Sequence, residues 1–586
     1  MALPTLDDPF YYLANFHTVL DWLGSRYADL LSAEERDFIA AFEALPRASR
    51  ALLVRMVMRK GVDFRASRLR YAEIGDTRAA AAPLIAAGWI ETDAELELAA
   101  LFALTTKSEL ATDLAPWLAE LGLSRSAGKA VWCTALAAES PPPRALPAWL
   151  PSLDDTHYRL TVDALGERFR LMFFGNLRQQ WSEFVLADLG VYRFESVPLA
   201  AASRAFSRRD ELEAYHHLHR CRERFDADEP LADLLAEIPR EPFDNPWLER
   251  RRGRLLYKLA YRSERQGELR QALALYHDSA APEARLRRIR VLERLARFDE
   301  AWALARCAGN APVSAAESQA LGRIVPRLRR KLGLPRGDAV APAEPERITL
   351  TLPRSGWVEG AVAAHLSRDQ APVIYVENTL INALFGLLCW EAIFAPLPGA
   401  FFHPFHSGPA DLFDKDFHVR RQALFTACLA ALERGDYGDI VRQRFRDKYG
   451  IQSPFVAWGA LDERTLTLAL TCIPARHLRL WFERLLGDIR ANRAGMPDLI
   501  QFWPDEARYR MIEVKGPGDR LQDNQKRWLA FCAEHAMPVS VCYVSWGEGG
   551  DERERQDAQG DEGQPQRAVI EDAGAPPNSA AGGNPA

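Results

Sequence analysis

The chain has 586 residues, 48% of them hydrophobic and 26% charged, with a net charge of −6 at pH 7, the composition of a folded protein of about two to four domains. This balance excludes a uniformly basic nucleic-acid coat, and no run of about 18 uncharged apolar residues marks a membrane span. The acidic start MALPTLDD lacks the basic region of a signal peptide and the eight scattered cysteines include no CxxC pair, so the expectation is an intracellular protein with buried, reduced thiols and no zinc ribbon.

Residues 1–100 read as mainly helical. Helical spacing in FIAAFEALPRASRALLVRMV gives way to a basic stretch, and APLIAAGWIETD reads as a helix turning through Gly88 into a short strand. Helices followed by a small strand pair suggest a winged-helix-like module. In residues 101–145, two short amphipathic helices flank a Gly-Leu-Ser turn, with Gly128-Lys129 opening the second. That layout resembles a SAP module, in which Arg125 and Lys129, beside the N–H groups of a helix start, offer their charges to DNA phosphates. An ordinary helical hairpin with solvated basic residues fits the same letters.

Residues 146–335 read as almost continuously helical and rich in arginine. YRSERQGELRQALALY and RVLERLARFDEAWALA match at an offset of 29 residues, Ala272 against Ala301, a degenerate TPR-like repeat whose usual task is a scaffold or binding surface. The whole chain holds nine lysines against 65 arginines; arginine suits bidentate phosphate recognition, and a GC-rich coding sequence yields the same excess. Solvated helix faces account for the basic runs WLERRRGRLLYKLAYR and IVPRLRRKLG as readily as phosphate contacts do. A Pro/Ala-rich linker is expected over 336–348, an α/β domain over 349–546 and a disordered polar tail over 547–586.

The chemistry concentrates in GMPDLIQFWPDEARYRMIEVKGPGDR, residues 495–520. DLIQFW and ARYRMIEVKG, joined across PDEA, read as a β-hairpin. Strand alternation turns Glu513 and Lys515 to one side and Ile512 and Val514 to the other, with Asp498 at the start of the first strand facing the acid and the lysine. Two carboxylates and an ammonium converging at a strand end suit a hard cation such as Mg²⁺ or Mn²⁺. Glu513–Lys515 is the only Asp/Glu-x-Lys in the sequence, although a salt-bridged pair on an exposed strand has the same letters.

PD…EVK is the PD-(D/E)xK nuclease signature, and GMPDLI with EVKGPGDRLQDNQKRWL resembles its VRR-NUC branch. The upstream VENTLINALFGLLCWEAIFAPLPGAFFHPFHSGPADL narrows the resemblance to the Fanconi-anaemia-associated nuclease family, over roughly residues 8–546. The resemblance implies that Asp498, Glu513 and the carbonyl of Val514 ligate metal, that Glu377 joins them from a helix, and that Lys515 is the catalytic lysine. Read alone, Glu377 is equally a helix-start acid. The resemblance further places Asp519, Arg520, Gln525 and Lys526 around the site and its DNA, while Asp519 alone reads as a helix cap. Arg490 and Arg493, just before the metal aspartate, become candidates to grip a phosphate.

The implied activity is a Mg²⁺- or Mn²⁺-dependent structure-selective DNA nuclease, a 5′-flap endonuclease and 5′-to-3′ exonuclease of interstrand-crosslink repair. Its partner is branched or 5′-flap DNA, bound by a monomer or a DNA-induced dimer. The ubiquitin-binding zinc finger of larger relatives is not expected, which makes this a bacterial-type member acting in the cytoplasm on nucleoid DNA. A non-catalytic branched-DNA scaffold and a Holliday-junction resolvase stand as alternatives.

Overall fold

The computed structural model describes residues 8–188, 192–199, 203–336 and 344–547. Most of the expected linker and almost all of the expected disordered tail lie outside these residues. By its contacts the chain divides into two compact units, Met1–Arg297 with Pro396–Ala410, and Phe298–Ala395 with Asp411–Ala586. No described helix is long and apolar enough to cross a membrane.

The first unit opens with helices Tyr11–Arg26, Ala33–Ala44 and Arg47–Val57. The second of these starts at a capping box, in which Ser32 and Glu35 satisfy each other's backbone donors. Strand β1 (Asp63–Arg65) follows, then helix Thr77–Ala86 and strand β2 (Ile90–Thr92), with Gly88 at φ 73° making the turn between them, as the sequence suggests. The small sheet has a third member. Strand β3 (His157–Leu160) lies between the other two in the order β1-β3-β2 and is antiparallel to both. Residues assigned from sequence to the start of the repeats thus complete the winged-helix sheet. Helix Asp163–Phe174 follows and buries Phe169 and Phe173 in one core with Phe16, Leu20 and Phe42.

The SAP-like module is therefore an insertion between β2 and β3. Asp93 N–H donates to the His157 carbonyl at 2.9 Å, and Leu96 and Arg144 exchange backbone bonds of 2.8 and 3.2 Å, closing its neck. Its helices Ala115–Glu120 and Lys129–Ala138 flank the Gly-Leu-Ser turn, with Leu98–Leu104 and Lys107–Asp113 before them. They share a separate core that includes Leu101, Leu110, Leu118, Trp132 and Leu136.

The repeat helices hold some of their arginines internally, while others, such as Arg254, Arg265 and Arg270, are exposed. Arg252, in helix Pro246–Arg265, is 2% exposed and donates to both oxygens of Glu249 and to the carbonyls of Pro239, Arg240 and Asp278. Arg262 reaches the carbonyls of Phe225 and Glu229. Neither is the solvated helix face, nor the free phosphate contact, that the sequence suggests. The matched alanines Ala272 and Ala301 are both fully buried, and each follows a left-handed turn residue, Gly267 or Ala296.

The contact boundary falls at Arg297, not in the expected linker. Helix Ala315–Lys331 joins the second unit through Arg323, which forks onto Asp523 at 2.8 and 2.7 Å, and through Gln319, bonded to the Asp523 carbonyl and to Arg527. Conversely, Phe402 and Phe405 take Pro396–Ala410 out of the expected α/β domain and into the core of the first unit. The first strand of the large sheet also starts inside the expected linker.

That sheet has five strands: β4 (Glu346–Leu352), β5 (Val373–Tyr375), β6 (Leu499–Trp503), β7 (Arg508–Lys515) and β8 (Val539–Trp546). Their order is β4-β8-β7-β6-β5; β8 runs parallel to β4 and β7, and the other pairs are antiparallel. Ile512 and Val514 of the central strand pack with Val362 of helix Val358–Leu366 and with Leu352, Leu499 and Val544. On the opposite face Tyr509 bonds His477 at 2.7 Å and meets Trp481, both in helix Ala475–Gly487. All eight cysteines are free thiols; five are buried, but Cys307 is exposed, against the expectation of uniform burial.

Candidate active site

The expected hairpin forms, with Ala507 at φ 46° completing the turn and Leu499 opposite Ile512. Asp498 immediately precedes β6, and its main chain extends the ladder: Val376 N–H donates to the Asp498 carbonyl at 2.8 Å. The same register carries Asp498 opposite Glu513. The Asp498 carboxylate accepts the Val514 N–H at 2.8 Å, and in an extended strand the carbonyl of the same residue turns toward the same edge.

Asp498 and Lys515 are 6% and 8% exposed, and Glu513 is fully buried. Lys515 Nζ lies 2.8 Å from Glu513 Oε1. Among the described residues, however, no donor gives either Glu513 oxygen a well-aligned hydrogen bond. Burial, followed by repulsion from Asp498, pushes Glu513 up to about 8 against the pull of Lys515. Burial likewise raises Asp498 to about 6, opposed by the Val514 N–H and reinforced by Glu377. Two desolvated carboxylates with unfilled lone pairs are the donor set a hard divalent cation requires.

The loop entering Asp498 is tightly constrained. Gly495 sits at φ 88°, and a Cβ there would stand 2.8 Å from the backbone and side chain of Asn524. Asn378, itself left-handed at φ 53°, accepts from Met496 N–H at 3.1 Å, while Asn382 ties the Asn378 and Arg493 carbonyls together. This clamp fixes Glu377 beside the loop. Glu377 lies in the turn between β5 and helix Leu380–Leu388, not on the helix as expected, because the left-handed Asn378 delays the helix start. It is exposed, and it receives the Tyr375 hydroxyl and an Asn378 amide bond.

The remaining sequence candidates separate. Arg490 is exposed with its guanidinium 5.1 Å from the Phe413 ring. Arg493 is half-buried and donates to the Pro454 carbonyl at 2.9 Å. Asp519 does not cap the following helix; it folds its own turn by accepting Gly516 N–H at 3.1 Å. Helix Asp523–Glu534 starts later, capped by Gln522 with Gln525, whose side chain is thereby engaged, while Arg520 and Lys526 stay exposed. Arg125 and Lys129 lie in the first unit: Arg125 is exposed, and Lys129 donates to the Thr105 carbonyl at 2.5 Å, at the end of helix Leu98–Leu104.

The sequence reading passes over Tyr375 and Glu359. Tyr375 holds the Glu377 carboxylate, and Glu359, in the first turn of helix Val358–Leu366, adds negative charge that raises Asp498. The only sequence signal was their nearness to VENTL and to the start of the domain. A cavity of about 470 Å³ adjoins the strand end, lined by Arg354, Ser355, Gly356, Gly516, Pro517 and Asp519 among others.

Three family descriptions match the chain: the FAN1 HTH domain over residues 10–91, the Fanconi anemia-associated nuclease SAP domain over 95–149 and the VRR-NUC domain over 432–546. The chain is 58% identical to a Fanconi-associated nuclease 1 homolog of Pseudomonas aeruginosa, over 93% of this chain and 97% of that one. It is 29% identical to the human Fanconi-associated nuclease 1 over 32% of this chain and 19% of that one. A crystal structure of paFAN1 bound to 5′-flap DNA with a 2-nt flap and a gap is 57% identical and superposes with a TM-score of 0.90, over 93% of this chain and all of that one. A second, with a 1-nt flap, gives 0.86 over 92% of this chain and all of that one. With these matches spanning both units, the chain belongs to the Fanconi-associated nuclease family and is a DNA nuclease.

Proposed function

We propose that this nuclease hydrolyses 5′-flap DNA near the junction and trims DNA from a 5′-phosphorylated end, using Mg²⁺ or Mn²⁺, in interstrand-crosslink repair on nucleoid DNA. The observation that supports the metal dependence is the buried Asp498–Glu513 pair, in which neither Glu513 oxygen has an aligned donor and Asp498 accepts only the Val514 N–H among the described hydrogen bonds. The flap preference is supported by the flap-bound crystal structures of the relative at 57% identity.

In this reading Asp498, Glu513, the Val514 carbonyl and Glu377 hold the ion. When bound, such an ion polarises a phosphoryl oxygen and makes water acidic enough to attack phosphorus. Asp498 is oriented by the Val514 N–H, and Glu377 by Tyr375. Lys515, anchored 2.8 Å from Glu513, presents its ammonium to the charge that develops on the phosphate oxygens. The tight clamp around Gly495 keeps these groups from relaxing away from each other. Exposed Arg490, Arg520 and Lys526 attract the backbone on either side, and the SAP-like module and repeats hold duplex arms. Bending a junction costs less than bending intact duplex, which makes the chemistry structure-selective.

The test is cleavage of a 5′-flap duplex and a four-way junction in Mg²⁺ or Mn²⁺ by wild type, Asp498→Ala and Lys515→Ala, with binding measured in parallel. Flap cutting lost in both variants while binding persists is the expected result. Preference for the four-way junction by a stable dimer would instead identify a resolvase.

A further inference from the structure

Two of the protein's most exposed large aromatic side chains stand beside the catalytic carboxylates. Trp357 is 56% and Tyr375 42% exposed, and their rings meet edge to face at 5.8 Å and 76°. Neither is a loose surface residue. Ser355 and Trp357 bond each other twice at 3.2 Å, which fixes the backbone that carries the indole. The indole then lies over Gly360, where a Cβ would stand 2.1 Å from a ring carbon. A glycine in the first turn of a helix weakens it relative to alanine, and here it makes room for a ring left open to solvent. Tyr375 ends the edge strand β5, and its hydroxyl donates to Glu377, so the aromatic pair is tied to the catalytic constellation by a direct hydrogen bond.

We propose that Trp357 and Tyr375 form a stacking surface for one unpaired nucleobase of the strand being cut, next to the scissile phosphate. The inference rests on the nuclease reading above and specifies the substrate feature that its site recognises. A nucleobase offers an apolar face of indole size, and stacking accepts any base because every base has one. Paired duplex keeps those faces covered, whereas a flap or gapped junction exposes them. The surface therefore contributes selectivity for structure without reading sequence. The loop that carries Trp357 also lines the cavity of about 470 Å³ with Gly516 and Pro517, directly after Lys515, leaving room for the sugar and phosphate of that nucleotide.

The experiment is single-turnover cleavage of 5′-flap duplexes by the full chain in Mn²⁺. A single abasic nucleotide is moved through about three positions on either side of the scissile phosphate. Wild type should slow about 10-fold with the gap in the base stack at one position and little at the others. Trp357→Ala should be about 10-fold slower on intact DNA and indifferent to the abasic site at that position, and Trp357→Phe should recover most of the rate. Gly360→Ala, which displaces the indole without removing it, should fall toward Trp357→Ala. In parallel, 2-aminopurine at the sensitive position should be quenched on binding by wild type and not by Trp357→Ala. The inference is overturned if Trp357→Ala and Gly360→Ala both cut within twofold of wild type, or if every abasic position slows the reaction equally. Wild type that cuts no flap would overturn the nuclease-on-flap reading instead. A melting transition for each variant separates a lost contact from a lost fold, with Trp357→Phe and Gly360→Ala carrying the test if Trp357→Ala unfolds.

Discussion

Arg252 of the repeat helices and Glu513 of the sheet are buried almost equally, and the protein treats them in opposite ways. Arg252 is surrounded by both oxygens of Glu249 and three carbonyls. Glu513 has one lysine at its edge, no well-aligned donor and a second carboxylate across the strand. A scaffold that buries a charge completes its partners, because an unpartnered buried charge destabilises the fold. A site prepared for an external cation leaves the negative charges in deficit. That deficit, more than the presence of carboxylates, distinguishes the strand end proposed as the active site from the buried arginine of the repeat helices.

The sharpest attack on this contrast is Glu513→Gln. Cleavage of flap DNA should fall by about three orders of magnitude or more, while the metal-free protein should melt at a higher temperature than wild type; a lower melting temperature would break the comparison. Arg252→Ala should do the reverse, leaving chemistry per folded molecule intact. It should cost the first unit about 3 kcal/mol in urea unfolding, because Glu249 is left without its buried partner. A smaller effect lies in pH. With Asp498 raised to about 6 and Glu513 to about 8, the folded state binds protons that the unfolded chain releases near pH 4. Their contribution to stability is present below that pH and is lost as pH rises through 6 and then 8. The stability of metal-free wild type relative to Glu513→Gln should therefore decline over this window. Saturating Mg²⁺, competing for the same oxygens, should flatten the decline. Smallest of all, Arg323→Ala breaks a half-exposed fork onto Asp523 and should cost under about 1 kcal/mol, with flap cleavage changed less than twofold.

Sequence made the hairpin and its charged face legible because both signals are local: an alternation of two residues and a Pro-Asp turn. The helix-Gly88-strand unit was legible for the same reason. Strand β3 was not, because its partners are far along the chain, with Asp63 and Arg159 separated by 96 residues, and HYRL is too short to announce a strand. Nor did spacing reveal that Asp519 would close its own turn and leave the cap to Gln522 and Gln525. Tyr375, Trp357 and Glu359 become neighbours only when an edge strand meets the start of a helix, a juxtaposition that no periodicity encodes. The arginine count was silent for a similar reason: composition cannot distinguish a guanidinium facing solvent, as at Arg254, from one enclosed by carbonyls, as at Arg252.

The closed neck of the SAP-like insertion makes it an exchangeable cassette. Its entry and exit run side by side at Asp93 and His157 and again at Leu96 and Arg144, and its core is separate from the one beneath it. A short turn bridging the neck would leave β2 and β3 in register, since the entropy of closing a loop changes only slowly with its length. The insertion can thus be lengthened, or replaced by another folded module, at its neck, provided that Arg65 of β1, which bonds Glu109 and Asp155 inside it, is given new partners.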